Sequence, residues 1–455
     1  MVMVLTPWGK SESIRDRRLR PGPGVPREDV VANQKERLYA AMVAVVAEKG
    51  YQASTVADLV SVSGVSSRTF YDLFADKQAC FLATMEAIIG GAITYATQRA
   101  GAPAQDPDPG GVKLPEVSPA GGSWEERARA GLASFVQMVG AQPAAARLVM
   151  VEAYAAGPEA LVPLENAIAG FEWLTEQVLA QSPERAGMPK ELTMALMGAQ
   201  QEMVRNRLRE GRERELGEDS REMWDILLSY RPPPEPLKLS ARPPRAAPES
   251  IDAHDHAERA LRALAAVMAE KGYAATTVDE VVSRAQMSAT TFYAHFDGKE
   301  DAMLAAIDSA GAQIVAATWP AHRRAPDWAN GIRAALGALF NFLAAHPTLA
   351  NLMMVEAYAA GPEAMARRSE ALRPFEALLS GGFEFSPETS RLAADGIAGA
   401  IYQLSYRRLR EAGAEVLPAL APVCTYIALC PFVGPEEACR VANGDGRGRS
   451  RPAAE

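Results

Sequence analysis

Two short stretches gather hydrogen-bonding side chains without supplying a catalyst. Ser66-Ser67-Arg68-Thr69-Phe70-Tyr71 sets four hydroxyls around one guanidinium, with Lys77 following; Ser288-Ala289-Thr290-Thr291-Phe292-Tyr293 repeats the hydroxyls, followed by His295 and Lys299. Hydroxyls donate and accept, and a guanidinium offers a planar fork of donors to a two-pronged acceptor. Catalysis has little to work with. The chain holds five histidines and no Gly-x-Ser-x-Gly, Walker A or paired-carboxylate context. His254 and His256 flank Asp255, but no further ligand cluster accompanies them, so no metal site is expected. The four cysteines (Cys80, Cys424, Cys430, Cys439) fit neither a disulfide framework nor a zinc spacing, which points to a reducing cytoplasm. Cys80 reads as a buried inert thiol rather than a redox switch. The expectation is a non-enzyme without cofactor.

Something must hold the first stretch in place. Leu38, Met42, Val45 and Val46 mark one face of a helix, and Leu261, Leu264, Val267 and Met268 do the same later in the chain. Gly50 and Gly272 suit the left-handed residue that ends such a helix. Thr55 with Asp58, and Thr277 with Glu280, have capping-box spacing and start a second short helix. A turn at Ser63-Gly64-Val65 and a new N-cap, Ser66, open a third helix, giving a helix-turn-helix. Val65, Phe70 and Phe74 would pack it down, leaving Ser67, Arg68 and Asp72 outward. No run alternates as a strand does, so the fold should be all-α.

The chain repeats itself. Ala47-Glu48-Lys49-Gly50-Tyr51 returns as Ala269 to Tyr273, 222 positions later, and the register holds to Lys77 and Lys299. Met150 to Ala160 returns as Met354 to Ala364, now 204 positions later, so the first copy carries 18 extra residues, assigned to the Gly/Pro-dense stretch 101–122. Two tandem copies of roughly 200 residues follow. The boundaries read as a flexible arm 1–32, helix-turn-helix heads 33–79 and 251–301, larger helical regions 80–230 and 302–440, a Pro-rich linker 231–250 and a disordered tail 441–455. The linker suits extended polyproline geometry, with a reach of up to about 60 Å.

Residues Thr55 to Phe74 followed by Asp76-Lys77, and Thr277 to Phe296 followed by Gly298-Lys299, resemble the TetR family of bacterial transcriptional regulators. The resemblance covers the two heads and the helical length behind them. It implies that the third helix enters the major groove of double-stranded DNA and that the Tyr and Lys near its end grip phosphates. Arg68 is then the candidate for base reading, since a guanidinium bonds guanine bidentately. Ser66 and Ser67 would touch bases or backbone, Thr69 and Tyr71 phosphate, and Lys77 adds charge at the next helix start. The matching set is Ser288, Thr290, Thr291, Tyr293, His295 and Lys299. The second copy departs from the pattern: Gln286 stands at the turn glycine, and its third helix has no Lys or Arg. Arg284 and His295 replace that charge only in part, so the second head should bind more weakly.

The resemblance also implies dimerisation and an effector pocket in the larger regions. Candidate pocket residues are Met150, Tyr154, Phe171, Trp173 and Met197 in the first copy, and Met354, Tyr358, Phe375 and Tyr402 in the second. Methionines and aromatics at helical spacing are more often core than pocket. The expected effector is an unidentified, largely apolar small molecule. The repeated Glu-Ala-Tyr-Ala-Ala-Gly-Pro reads as a helix end, with Glu152 and Glu356 capped, solvated or facing a cationic effector. Arg15, Arg17, Arg18 and Arg20 make either a minor-groove arm or a solvated tail.

Composition bounds the rest. At 48% hydrophobic and 23% charged, a chain of 455 residues is neither wholly disordered nor fibrous. No membrane partner is expected, and the N-terminus does not read as a secretory signal. The net charge of −9 argues at face value against nucleic acid, yet it averages over residues that never need to touch DNA. The reading is a cytoplasmic DNA-binding regulator, a repressor released by a small ligand. It would act as a single-chain pseudo-dimer with two unlike heads, or as a homodimer of chains. The competing reading is a non-catalytic ligand-binding or protein-interaction module that has lost DNA binding.

Overall fold

A computed structural model describes residues 14–19, 22, 24–100, 123–185, 187–238 and 255–445. His254, Arg20, the 101–122 stretch, most of the Pro-rich segment and the end of the tail fall outside them. Every regular element among the described residues is helical.

In chain order the α-helices are α1 (Arg27–Ala53), α2 (Val56–Ser63), α3 (Ser67–Leu73), α4 (Lys77–Ala100), α5 (Trp124–Ala141), α6 (Pro143–Met150), α7 (Pro158–Leu179), α8 (Lys190–Glu210) and α9 (Leu216–Ser229). The second copy repeats the order with α10 (His256–Ala275), α11 (Val278–Arg284), α12 (Ala289–Tyr293), α13 (Lys299–Arg324), α14 (Trp328–Ala345), α15 (Pro347–Asn351), α16 (Ala357–Ala359), α17 (Pro362–Leu379), α18 (Gly382–Phe385), α19 (Leu392–Ala412) and α20 (Ala421–Ala442). The motif Gly-Pro does in both copies what its chemistry dictates. Gly157 (φ 98°) and Gly361 (φ 102°) turn the chain at positive φ, and the next residue, proline, opens α7 and α17.

Two compact units result, Met1–Val178 with Val204–Arg221 and Leu179–Met203 with Glu222–Glu455. The core of the first joins head to body: Leu38, Met42 and Val46 of α1 and Phe70 of α3 lie in one buried cluster with Phe81, Met85, Leu148 and Ala153.

The second unit includes most of the last two helices of the first copy. There α8 crosses α19 at a pair of glycines. A Cβ on Gly198 would lie 2.4 Å from Gln403 Cβ, and one on Gly399 would lie 2.3 Å from Glu202 Cβ. Gly198 and Glu202 match Gly399 and Gln403 at one offset of 201 (399 − 198 and 403 − 202). The contact is therefore reciprocal, in the manner of a two-fold interface. Nearby, Tyr230 Oη donates to the Ile427 carbonyl at 2.9 Å and Tyr426 Oη to the Arg231 carbonyl at 2.7 Å.

The Pro-rich segment is not a free tether over 231–238. Asn443 Nδ2 donates to the Pro236 carbonyl at 3.3 Å, and Lys238 pairs with Asp445 at 2.6 Å. Two stretches, Lys299–Arg324 and Ala414–Ala442, are long and apolar enough to cross a membrane by composition. The second carries its hydropathy inward, with 72% of its apolar window buried in the unit.

Candidate nucleic-acid interface

Head one is positioned by its caps. Helix α1 runs to Gly50, whose φ of 75° with ψ of 165° is open to glycine and strained for any other residue. Thr55 then caps α2 by accepting from Asp58 N while Asp58 accepts from Thr55 N, the full capping box. Gly64 (φ 65°) ends α2 in the left-handed region, and Ser66 caps α3 by accepting from Thr69 N at 3.1 Å. Phe70 is fully buried beneath α3 and meets Tyr71 edge-on at 5.3 Å. Ser67, Arg68, Tyr71 and Asp72 remain outward, with Tyr71 59% exposed.

Capping consumes some of the expected contacts. Ser66 and Thr69 hydroxyls bond each other at 2.8 Å, as do Ser288 and Thr291. Lys77 turns inward: its Nζ donates to the carbonyls of Tyr51 (2.8 Å), Ser54 (2.9 Å) and, at 3.5 Å, Gln52. The ammonium also sits 4.1 Å from the Tyr51 ring centroid. Lys299 repeats this on Tyr273 and Thr276, with a ring distance of 4.2 Å. Both lysines thus neutralise the carbonyl end of the first helix, where a cation is favourable. Burial lowers the pKa of each. The outward side chains of α3 are Ser67, Arg68, Tyr71 and Asp72, with Arg68 free of any protein partner among the described residues.

Head two is built alike and charged differently. Its capping box joins Thr277 and Glu280, and Ser288 caps α12. Gln286 occupies the turn at φ 50°, the one non-glycine residue with positive φ among the described residues. Helix α12 spans five residues where α3 spans seven. The exposed candidates are Thr290 and Tyr293 (56% exposed) on α12 and His295 just beyond it, none a permanent cation. Arg284 does not make up the charge, because its fork closes on Glu270 at 2.8 and 2.7 Å. The basic arm behaves differently again. Arg15 donates through Nε and Nη2 to the Ser61 carbonyl, laying residues 15–17 against head one.

The description "Bacterial regulatory proteins, tetR family" matches residues 38–84 and 260–306, one match on each head. Both heads are tetR-family domains, in tandem. No curated protein matches its sequence. Among solved structures, the fatty acid degradation regulator FadR of Bacillus halodurans is 17% identical, covering 42% of this chain and 97% of its own, with a TM-score of 0.35. FadR of Bacillus subtilis in complex with stearoyl-CoA is 18% identical, covering 42% and 97%, at 0.36. A TetR-like transcriptional regulator from Rhodococcus sp. RHA1 is 19% identical, covering 45% and 98%, at 0.34.

In the bodies behind the two tetR-family heads, the expected pocket residues part company. Met354, Tyr358 and Tyr402 come together: the two rings stack at 5.0 Å, and Tyr402 Oη donates to the Met354 carbonyl at 2.9 Å. Phe375 is half-buried on α17, outside that contact. In the first copy Tyr154 lies beneath the Arg205 guanidinium, while Phe171 packs on Phe135 at 5.9 Å. Met150 is half-buried at the end of α6. Trp173 is 42% exposed, and Met197 belongs to the second compact unit.

The motif glutamates are buried, not solvated. Glu152 Oε2 accepts Tyr51 N–H at 2.9 Å, and Glu356 Oε2 accepts Tyr273 N–H at 2.7 Å, so each ties its body to the break in the first head helix. Sequence reasoning missed this role, although the repetition of Glu-Ala-Tyr was its signal. The described residues hold no group of three metal-ligating side chains. Cys80 is fully buried, and burial pushes its thiol up to about 12.

Proposed function

We propose that the protein is a ligand-released repressor that reads DNA as a single-chain pseudo-dimer with unlike heads. The observation that carries this reading is the reciprocal crossing of α8 and α19, Gly198 on Gln403 and Gly399 on Glu202. One chain thereby makes the self-complementary contact that two chains make in an ordinary dimer. The Arg68 head supplies the base contact, and the second head adds hydroxyl contacts to backbone without a permanent cation. The operator is then asymmetric, with half-sites about 34–36 Å apart. An apolar effector in the bodies shifts the equilibrium toward a state whose heads no longer fit both half-sites. The test is light scattering of the chain alone and on its selected DNA. One chain per operator is expected, and two chains per operator contradict the pseudo-dimer.

A second reading has its own support. With Arg284 held by Glu270 and α12 uncharged, the second head is the one to have given up DNA, leaving its body as an interaction or sensing module. DNA protection confined to one half-site distinguishes it.

A further inference from the structure

Residues 15–19 are clamped to head one by side chains that head two replaces. Arg15 donates through Nε (2.8 Å) and Nη2 to the Ser61 carbonyl, one of the orphan acceptors at the end of α2. Asn33 of α1 works in both directions. Its Oδ1 accepts Leu19 N–H at 3.0 Å, and its Nδ2 donates to the Arg17 carbonyl at 2.9 Å. The same Oδ1 accepts Arg37 Nε at 3.2 Å, and Arg37 Nη1 donates to the Ser63 carbonyl at 2.8 Å. The arm therefore lies beside the turn that leads into α3.

The duplicate lacks both halves of this fitting. At the 222 offset Asn33 matches Asp255, whose carboxylate has no N–H to give and instead caps α10. Gly64 matches Gln286. A Cβ on Gly64 would lie 3.0 Å from Arg15 Cγ, so the glycine that turns the chain also admits the arm. A side chain in its place crowds the arm.

The clamp leaves a cation outward. Arg18 is exposed, and its guanidinium has no protein partner among the described residues. It stands near the buried Arg37, whose pKa is lowered by burial first and by the Arg18 charge second. An unpaired guanidinium beside another cation favours an anion, and fixed backbone reduces the ordering cost of binding one.

We propose that Arg18 contacts a DNA backbone phosphate beside the base pairs met by α3, with Asn33 as the residue that positions it. The contact adds affinity without sequence information. Asp255 and Gln286 do not support its like in head two, so the arm widens the difference between the heads. The inference rests on the DNA-binding reading and extends head one's interface beyond its third helix.

The test is fluorescence anisotropy of the full chain on its selected duplex at rising salt. Arg18→Ala should weaken binding roughly three- to tenfold at low salt and flatten the slope of log affinity against log salt by about one. The selected sequence and the melting profile should stay unchanged. Arg324→Ala, which removes an exposed cation from α13, should leave both affinity and slope as they are. Asn33→Asp installs the residue of head two and sets an oxygen against the Arg17 carbonyl. In that background Arg18→Ala should cost roughly twofold or less. An unchanged slope in Arg18→Ala overturns the proposal. So does an equal loss in Arg324→Ala, which reduces the effect to net charge, or a full Arg18→Ala effect in the Asn33→Asp chain, which removes the clamp from the argument. A parent that binds no duplex even at low salt sinks the regulator reading and this inference with it. A parent that binds while Arg18→Ala matches it sinks this inference alone.

Discussion

Glu356 Oε2 accepts the backbone N–H of Tyr273 at 2.7 Å, and Glu152 makes the same bond to Tyr51 in the first copy. Each tyrosine follows a glycine whose positive φ breaks the first head helix. Each tyrosine ring also carries the ammonium of Lys77 or Lys299. A buried carboxylate from the body and a lysine from the next helix therefore hold the same short stretch of backbone, one by its N–H and the other by its carbonyls. Gln78 Nε2 adds a further link in the first copy by donating to the Ala156 carbonyl at 3.2 Å.

Removing that carboxylate strands a buried donor. Glu356→Ala should cost about 1–3 kcal/mol, the penalty for an unsatisfied buried N–H. Glu356→Gln should cost less, since its amide oxygen still accepts from Tyr273 while its NH2 opposes the Asn351 amide. Urea denaturation checks the order, and an Ala variant as stable as the parent contradicts the role.

The same residue gives the stability a pH signature. Burial raises the Glu356 pKa against the opposing hydrogen bonds from Tyr273 and Asn351. A carboxyl with a raised folded pKa contributes stability that is fully present below its ordinary 4.5 and lost as pH rises through the folded value. Asp58 and Glu280 have the opposite sign. Hydrogen bonds, first from Thr55 for Asp58 and from Lys271 for Glu280, hold each at about 2. Their contribution is present above 3.8 and 4.5 respectively and is lost as pH falls through about 2. Thermal melts from pH 2 to 7 should show both limbs in the parent. In Glu356→Gln the decline above 4.5 should weaken while the acid limb stays.

The turn of head two is strained where that of head one is not. Gln286 holds φ 50° in the place where Gly64 holds 65°. Gln286→Gly should stabilise the protein by about 0.5–1 kcal/mol, the left-handed penalty less the entropy of an added glycine. A loss of stability in denaturant melts contradicts a strained turn.

Local chemistry was legible in the sequence because its partners lie close by. The capping boxes at Thr55 and Thr277, the Ser66 cap and the Gly50 break each involve residues a few positions apart. The duplication was legible because identity survives at fixed offsets. The site was less so. A lysine at a helix start reads as outward charge, and nothing local reveals that Lys77 meets carbonyls 23 to 26 residues earlier. Arg284 reads as a replacement cation until Glu270, 14 residues away, is found closed on it. Glu152 bonds a residue 101 positions distant. Periodicity placed Trp173 on a helix without telling which face the body covers.

Selection of bound fragments from random duplex DNA decides whether the two heads read one asymmetric site. The parent chain and Arg68→Ala should be compared at rising salt. The expected result is an asymmetric site, affinity that falls steeply with salt, and relaxation of one base position in Arg68→Ala at a cost of about 1–3 kcal/mol. A palindromic site, or no enrichment even at low salt, would contradict it.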